Sequence, residues 1–318
     1  MRNAFIDELC TLAETDESIV LLCGDLGFSV LERFADRFPD RYCNVGIAEQ
    51  NMIGIAAGLA MTGKTVVTYS IANFGTVRSL EQIRNDVCYH DRSVICVSVG
   101  TGAAYGSQGY THHGIEDLGF LKMLPNIEVA SPGDAHEVRW ALRHLVARRR
   151  PGALRLGRGG EPLIHDALVE GPLGAITIRP GGRDVRLVAT GAILPEVVAA
   201  AKMLEATGID AGVVSVPFLT ALTEAEVTDL MAGTSLVVTA EEHLVTGGLG
   251  GTVAEFAAAH DGHPRVLRCG IAHPPPKIAL DQVGMRAHHG IDRHSLVARV
   301  RQALAGQQAS TDGSAGRS

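Results

Sequence analysis

Short apolar runs rich in β-branched residues recur along the whole chain, and segments of helical period separate them. Strands are predicted at residues 19–23, 65–69, 94–99, 127–130 and 154–156, and again at 185–190, 212–216, 235–239 and 265–268. Helices are predicted between them at 77–87, 135–147, 195–206, 224–231 and 249–260. The strand runs lack an apolar–polar alternation, so neither face of the sheets they build is expected to meet water. Strands covered on both faces and joined by helices form parallel sheets, because a parallel pairing needs a long crossover and a helix supplies it. The fold class is therefore α/β, with helices wound onto both faces.

With 318 residues, 46% of them hydrophobic, the chain is long enough for two such units. Residues 171–184 are rich in glycine and carry Pro172 and Pro180, which marks a linker between a first domain at 1–170 and a smaller second one at 185–305. Residues 306–318 are polar and rich in Gly and Ser, a composition that favours a disordered tail. A formal charge of -7 and no basic run longer than Arg148-Arg149-Arg150 argue against a nucleic-acid partner. No stretch approaches the roughly 20 apolar residues that span a bilayer. Residues 1–8 are too acidic and too weakly apolar for a signal peptide. The six cysteines form no C-x-x-C pair and several sit in apolar runs, the pattern of reduced, buried thiols. The expected setting is cytoplasmic, away from membranes.

One carboxylate stands out. Glu49 lies in Asn44-Val45-Gly46-Ile47-Ala48-Glu49-Gln50-Asn51-Met52, where an apolar run turns into a helix of Gly, Ala and Ile. A charge in apolar surroundings is costly unless paired, and desolvation favours the protonated form of a carboxyl group. Glu49 is therefore either paired by the fold or used to give and take a proton.

Further candidates lie at strand ends, where ligands bind in open parallel sheets. Gly106-Ser107-Gln108-Gly109-Tyr110-Thr111-His112-His113-Gly114 follows the strand at 94–99. Thr111 is placed to cap the helix that Glu116 and Asp117 enter. Capping explains neither histidine, and a histidine there can exchange protons near neutral pH. Ile71 and Phe74 can form one apolar wall, although ordinary core packing explains them equally. Arg155 and Arg158 flank Leu156-Gly157, where arginine among glycines suits a phosphate or carboxylate; a surface ion pair is the plain alternative. Asp25, in Cys23-Gly24-Asp25-Leu26-Gly27, ends the first strand where it can face a cleft. Glu241-Glu242-His243 precedes a glycine turn into a helix, with no P-loop lysine and no dinucleotide fingerprint, and reads as structural. His288-His289 reads as exposed and carries no assignment.

In this order and spacing the pieces resemble the C-terminal half of the transketolase family. The segments that carry the resemblance are CGDLG (23–27), NVGIAEQNMIGIAAGLA (44–60), GYTHHGIEDLGFLKMLPNIEV (109–129), RLGRGG (155–160) and TAEEHLVTGGLGG (239–251). It covers nearly all of residues 1–305. It implies two doubly wound α/β domains, a thiamine-diphosphate pyrimidine-binding domain followed by a transketolase C-terminal domain. Glu49 matches the glutamate that hydrogen-bonds the cofactor's aminopyrimidine and promotes the tautomer that removes the thiazolium C2 proton. A carboxyl group in an apolar pocket suits such an exchange. Ile71 and Phe74 fall where the family places aromatic residues around that ring, and Ile71 departs from the pattern. Asp25 is placed beside the cofactor with them. His112 matches the histidine that faces thiazolium and substrate, with His113 and Gln108 on the substrate side. Arg158 matches an arginine that binds a substrate phosphate.

Two departures refine what the resemblance implies. The family holds the cofactor's diphosphate and Mg²⁺ with a GDG motif and a downstream asparagine on a separate domain, and Gly24-Asp25-Leu26 is not that motif. The implied partner is an N-terminal subunit carrying it, in an α2β2 assembly with active sites between subunits and no metal ligand on this chain. Gln108 stands where the family has an aspartate that contacts a sugar hydroxyl, and a second sugar-reading group, a histidine, falls at Gly100-Thr101-Gly102. The expectation is transfer of a two-carbon ketol unit from a ketose or ketose phosphate to an aldehyde, with an atypical donor or acceptor. Alternatives are the β subunit of a 2-oxo-acid dehydrogenase, a 1-deoxyxylulose-5-phosphate synthase-like enzyme, a non-catalytic scaffold subunit and, for the second half alone, a flavodoxin-like binding domain.

Overall fold

The computed structural model describes the chain apart from Pro172, residues 273–276, Ala279 and residues 316–318, and apart from the side chains of 307–315. The described residues build two sheets. Strands β1 (Ile19–Cys23), β2 (Tyr42–Asn44), β3 (Thr65–Ile71), β4 (Val94–Val99), β5 (Glu128–Ala130) and β6 (Gly152–Leu156) form the first. Their spatial order is β2-β1-β3-β4-β6-β5, with every pairing parallel. Strands β7 (Ile176–Arg179), β8 (Val185–Thr190), β9 (Ala211–Ser215), β10 (Leu236–Leu244) and β11 (Arg265–Ile271) form the second, in the order β11-β10-β8-β9-β7. It is parallel except at its edge, where β7 runs antiparallel to β9.

Helices cover both faces of the first sheet, as the unbroken burial of β4 requires. Helices Arg2–Thr15 and Ala135–Arg148 pack on one face through Phe5, Leu9, Leu142 and Leu145. Helix Glu49–Met61 packs on the other through Met52, Ile53 and Ala56. Asp134 starts the helix Ala135–Arg148 by accepting the backbone N–H groups of His136 and Glu137, the usual work of an N-cap carboxylate. The chain leaving β1 goes to the first face, where Phe34 is buried, while the chain leaving β3 goes to the second, where Ile83 and Val87 are buried. Neighbouring strands whose exits part in this way open a crevice at their carboxyl ends.

Backbone hydrogen bonds join the segments beside the two sheets. Leu244 N–H donates to the Ile115 carbonyl at 2.8 Å and Ser131 N–H to the Pro217 carbonyl at 2.7 Å. Among the described residues no helix is long and apolar enough to cross a membrane.

Four sequence expectations need correction. The predicted linker at 171–184 contains β7, an edge strand of 4 residues; pairing on one side only, it needs no continuous apolar run to declare it. The helix predicted at 77–87 is broken into Leu80–Gln82 and a π-helical stretch Ile83–Tyr89, after a separate turn Ala72–Gly75. The closing helix Arg293–Ala315 continues past residue 305 into the predicted disordered tail. Leu296, Val297, Val300 and Ala303 anchor it on the second sheet, and extending a helix already formed costs far less than starting one. Residues 316–318 of that tail lie outside the described residues. Of the cysteines predicted to be buried, Cys43 is exposed and the other five are buried, all as free thiols.

Candidate active site

β2 ends at Asn44, and the chain enters helix Glu49–Met61 with Glu49 in its first turn, where free N–H groups and the helix dipole favour an anion. The Asn44 side chain shapes the approach. Its carbonyl accepts the N–H groups of Asp25 and Gly46, and its amide donates to Asp25 Oδ1, all at 3.0 Å. Asp25 is exposed at the end of β1, in the left-handed region at φ 56°. Glu49 is 2% exposed, and its partner is Arg78, whose Nη1 donates to Oε2 at 2.8 Å. Among the described residues Oε1 accepts no hydrogen bond, and it lies against Gly24, 3.8 Å from where a Cβ there would stand. The fold thus pairs one oxygen of Glu49 and leaves the other available.

β3 delivers Ile71 and Phe74, both half-buried. The Arg78 guanidinium lies over the Phe74 ring, Cζ 4.5 Å from its centroid. His112 meets the same ring edge-on, with centroids 5.2 Å apart. Asn73 Nδ2 donates to the Thr111 carbonyl at 2.7 Å and fastens the two loops together. Thr111 does not cap the helix Asp117–Lys122, which has no side-chain cap. It sits on the 3₁₀ turn Tyr110–His112, and its Oγ1 lies 3.0 Å from His112 Nδ1. That contact orients the imidazole and leaves Nε2 as its unengaged nitrogen.

The structure separates the neighbouring candidates. His113 is 3% exposed, donates from Nε2 to the Gly106 carbonyl at 3.2 Å, and burial pushes its pKa below the ordinary histidine value. It braces the loop from within and is not presented at the surface. His289, predicted to be exposed, is half-buried near it. Gln108 is exposed on the turn Gly106–Gln108. The segment Gly100-Thr101-Gly102 has no room for a sugar-reading side chain. Gly100 has φ +70° and a Cβ on it would collide with the Tyr105 ring; Gly102 has φ +65° and a Cβ on it would meet Glu242 Oε2 at 2.5 Å.

The two arginines at the end of β6 have different fates. Arg155, a predicted anion ligand, is spent on the protein itself. Its Nε donates to Asp117 Oδ2 at 2.7 Å and its Nη2 to Asp117 Oδ1 at 3.0 Å. It further donates to Ser131 Oγ at 3.2 Å and to the Gly114 carbonyl at 2.9 Å. Arg158 stays exposed and lines a cleft of about 370 Å³ with Met1, Arg2, Asn3, Gly159 and Gly160. Arg2 has no signal in the sequence beyond its charge, yet among the described residues its buried Nε has no hydrogen-bond partner. Two arginines lining one polar cleft suit a phosphate.

From the second domain, Glu242 reaches across to the β4 loop. Its Oε2 accepts Ala103 N–H at 3.1 Å and Gln282 Nε2 at 3.0 Å, and it pairs with Arg286. Glu241 caps helix Leu249–Ala259, accepting the N–H groups of Leu249 and Gly250 at 2.8 Å each. Burial raises its carboxyl pKa. Among the described residues no group of three or more His, Cys, Asp or Glu is placed to hold a metal ion.

The family model for the transketolase pyrimidine-binding domain matches residues 1–160, and that for the transketolase C-terminal domain matches residues 174–295. The chain belongs to the transketolase family. Within that family it is 38% identical over 298 residues to one of the subunits of an apulose-4-phosphate transketolase from Actinobacillus succinogenes, covering 93% of this chain and 96% of the relative. It is 35% identical over 304 residues to the 1-deoxy-D-xylulose-5-phosphate synthase of Azoarcus sp., covering 94% of this chain but 47% of the relative, about half its length. Among solved structures it is similar to a split-gene transketolase described as an inactive β4 tetramer, with a TM-score of 0.84, 35% identity, and 96% and 97% of the two chains covered. This transketolase-family chain therefore groups with the C-terminal subunits of split transketolases, and the flavodoxin-like alternative falls away.

Proposed function

We propose that this chain is the pyrimidine-binding subunit of a thiamine-diphosphate-dependent transketolase whose partner chain holds the diphosphate and Mg²⁺. In this reading it moves a two-carbon ketol unit from a phosphorylated ketose to an aldehyde acceptor. The observation that carries it is the Glu49 carboxylate, sealed from solvent at the crevice between β1 and β3 with the Phe74 ring and His112 on the adjoining loops.

The residues fit an aminopyrimidine. Glu49 offers a carboxylate for a ring nitrogen, Phe74 a face for stacking, Ile71 an apolar flank, Asp25 a polar edge, and Gly24 no side chain in the way. When bound, the cofactor supplies the electron sink that no amino-acid side chain provides. Glu49 holds and returns a proton at the ring edge, out of competition with water. His112, oriented by Thr111, exchanges a proton with the substrate's reacting oxygen. Arg158 and Arg2 hold the phosphate, and Gln108 presents a neutral amide where a charged sugar contact is usual in the family. The Actinobacillus relative is named for a sugar phosphate, which supports the phosphate-binding role of the arginine cleft. The split-gene relative, described as inactive as a β4 tetramer, supports a chain that needs a partner, in the α2β2 complex and cytoplasmic setting of this reading.

The test is reconstitution. This chain is mixed with a partner of comparable length that bears GDG and a downstream asparagine, together with thiamine diphosphate and Mg²⁺. Turnover of a phosphorylated ketose by the mixture, and by neither chain alone, is the expected result. Turnover of xylulose 5-phosphate with ribose 5-phosphate at ordinary transketolase rates would sink the atypical-substrate part. The Azoarcus relative keeps a second reading in view, a 1-deoxy-D-xylulose-5-phosphate synthase-like enzyme, and formation of 1-deoxy-D-xylulose 5-phosphate by the complex distinguishes it. A 2-oxo-acid dehydrogenase β subunit would instead capture a lipoyl-domain partner, and a scaffold subunit would tolerate Glu49→Ala.

A further inference from the structure

Arg78 has no task in the reaction as described above. Its side chain is 47% exposed, yet it bonds the sealed Glu49 and lies over Phe74, so it touches both groups that the cofactor ring needs. A guanidinium is flat, cationic and rimmed with N–H donors. A protonated aminopyrimidine shares all three properties. Each can give an N–H to a carboxylate at its edge while its face rests on an aromatic ring.

We propose that Arg78 is a stand-in for the cofactor ring: it occupies the pyrimidine seat in the cofactor-free subunit and must swing out to solvent before thiamine diphosphate can bind. The inference rests on the functional reading above. Its physical basis is the asymmetry of the pair. An enclosed carboxylate without a partner is costly, so Glu49 needs one at all times. Arg78 is half in water already and loses little by withdrawing, because the long side chain keeps its charge solvated. A permanent partner is enclosed with its carboxylate, as Arg155 is with Asp117; Arg78 is not. The Phe74 face under the guanidinium is a single seat beside Glu49, and the ring and the arginine compete for it. The arrangement keeps the empty pocket from holding a bare carboxylate and lowers cofactor affinity in exchange.

The experiment measures binding of thiamine diphosphate with Mg²⁺ to the assembled complex by titration calorimetry and stopped-flow association. The unfolding temperature of this chain alone, without cofactor, is measured in parallel. Arg78→Met is expected to lower Kd about tenfold, the scale of a half-exposed ion pair plus a cation–π contact no longer broken on binding. It should also speed association and lower the unfolding temperature of the free chain. Arg78→Lys keeps the ion pair, and therefore the fold, but lacks the flat face; it should bind faster than wild type while unfolding near the wild-type temperature. If the methionine variant does not assemble, the lysine variant decides. Unchanged or weaker cofactor binding in the deciding variant overturns the inference while leaving the functional reading in place. Failure of the wild-type complex to bind thiamine diphosphate overturns the functional reading, and the inference with it.

Discussion

Arg155 and Asp117 form a doubly hydrogen-bonded ion pair, 2.7 Å and 3.0 Å, in which both side chains are almost sealed from solvent. The pair ties the end of β6 to the start of the helix after the His112 loop. Through Ser131 and the Gly114 carbonyl it also reaches the contact between the two domains. Removing one partner leaves a buried charge without compensation, which costs roughly 3–5 kcal/mol. Asp117→Ala is expected to lose stability on that scale in denaturant unfolding. Asp117→Leu combined with Arg155→Met should lose much less, since neither charge then remains. Equal losses in the single and double variants would show that packing, and not the charge, is what matters.

Glu49→Gln keeps the shape of the pocket and a hydrogen-bond acceptor for Arg78 but removes the exchangeable proton. The reconstituted complex is expected to lose about 10²–10⁴-fold in kcat, the range for a general acid–base group. Assembly with the partner, followed by light scattering, should be unchanged. A variant with near wild-type kcat would favour the scaffold reading.

Arg158→Ala and Arg2→Ala should act on the phosphate and not on the chemistry. For a phosphorylated ketose, KM is expected to rise roughly 10–100-fold in either variant, the scale of a lost hydrogen bond to a charged group, while kcat holds. A dephosphorylated substrate should be nearly indifferent to both changes. Equal effects on both substrates would place the two arginines outside the substrate site.

A buried cluster under the connection between the domains should make stability depend on pH. Glu137 is fully enclosed, and burial pushes its carboxyl pKa up to about 7. His165 lies 3.6 Å from Glu137 Oε1 and 3.1 Å from Asp134 Oδ2, and its hydrogen bond to Asp134 raises its pKa. Both shifts mean that the folded state keeps a proton that the unfolded state has released. Stability is therefore full at low pH within this window and falls as pH rises from about 5 to somewhat above 7. Asp134 contributes the opposite way, because its depressed pKa adds stability that is lost only as pH falls below the usual carboxylate range. Unfolding temperature measured across that window should decline in the wild type and stay flatter in Glu137→Gln. Parallel curves for the two proteins would remove the cluster as the cause.

β1, β4 and β8 coincide with the runs predicted at 19–23, 94–99 and 185–190, because a strand covered on both faces is predominantly apolar. β2 and β7 are partly exposed edge strands of 3 and 4 residues and leave no such run. The site divides in the same way. Glu49, Phe74 and His112 stand out in the sequence because each sits in a segment whose neighbours do not explain it, and the fold brings them to one crevice. Arg78 and Arg2 give no local signal. Each matters only through a neighbour supplied by another element, Glu49 for the first and the Arg158 cleft for the second.

By itself the sequence determined the doubly wound α/β plan, the buried strands along the chain and the family, since periodicity and motif spacing are properties of consecutive residues. Only the tertiary structure decided between adjacent candidates. It placed His112 against Phe74 and turned His113 inward, and it spent Arg155 on Asp117 while leaving Arg158 in the open. Side chains one or three residues apart leave a turn or strand end in different directions. What each then meets is set by elements arriving from elsewhere in the chain, which no local pattern encodes.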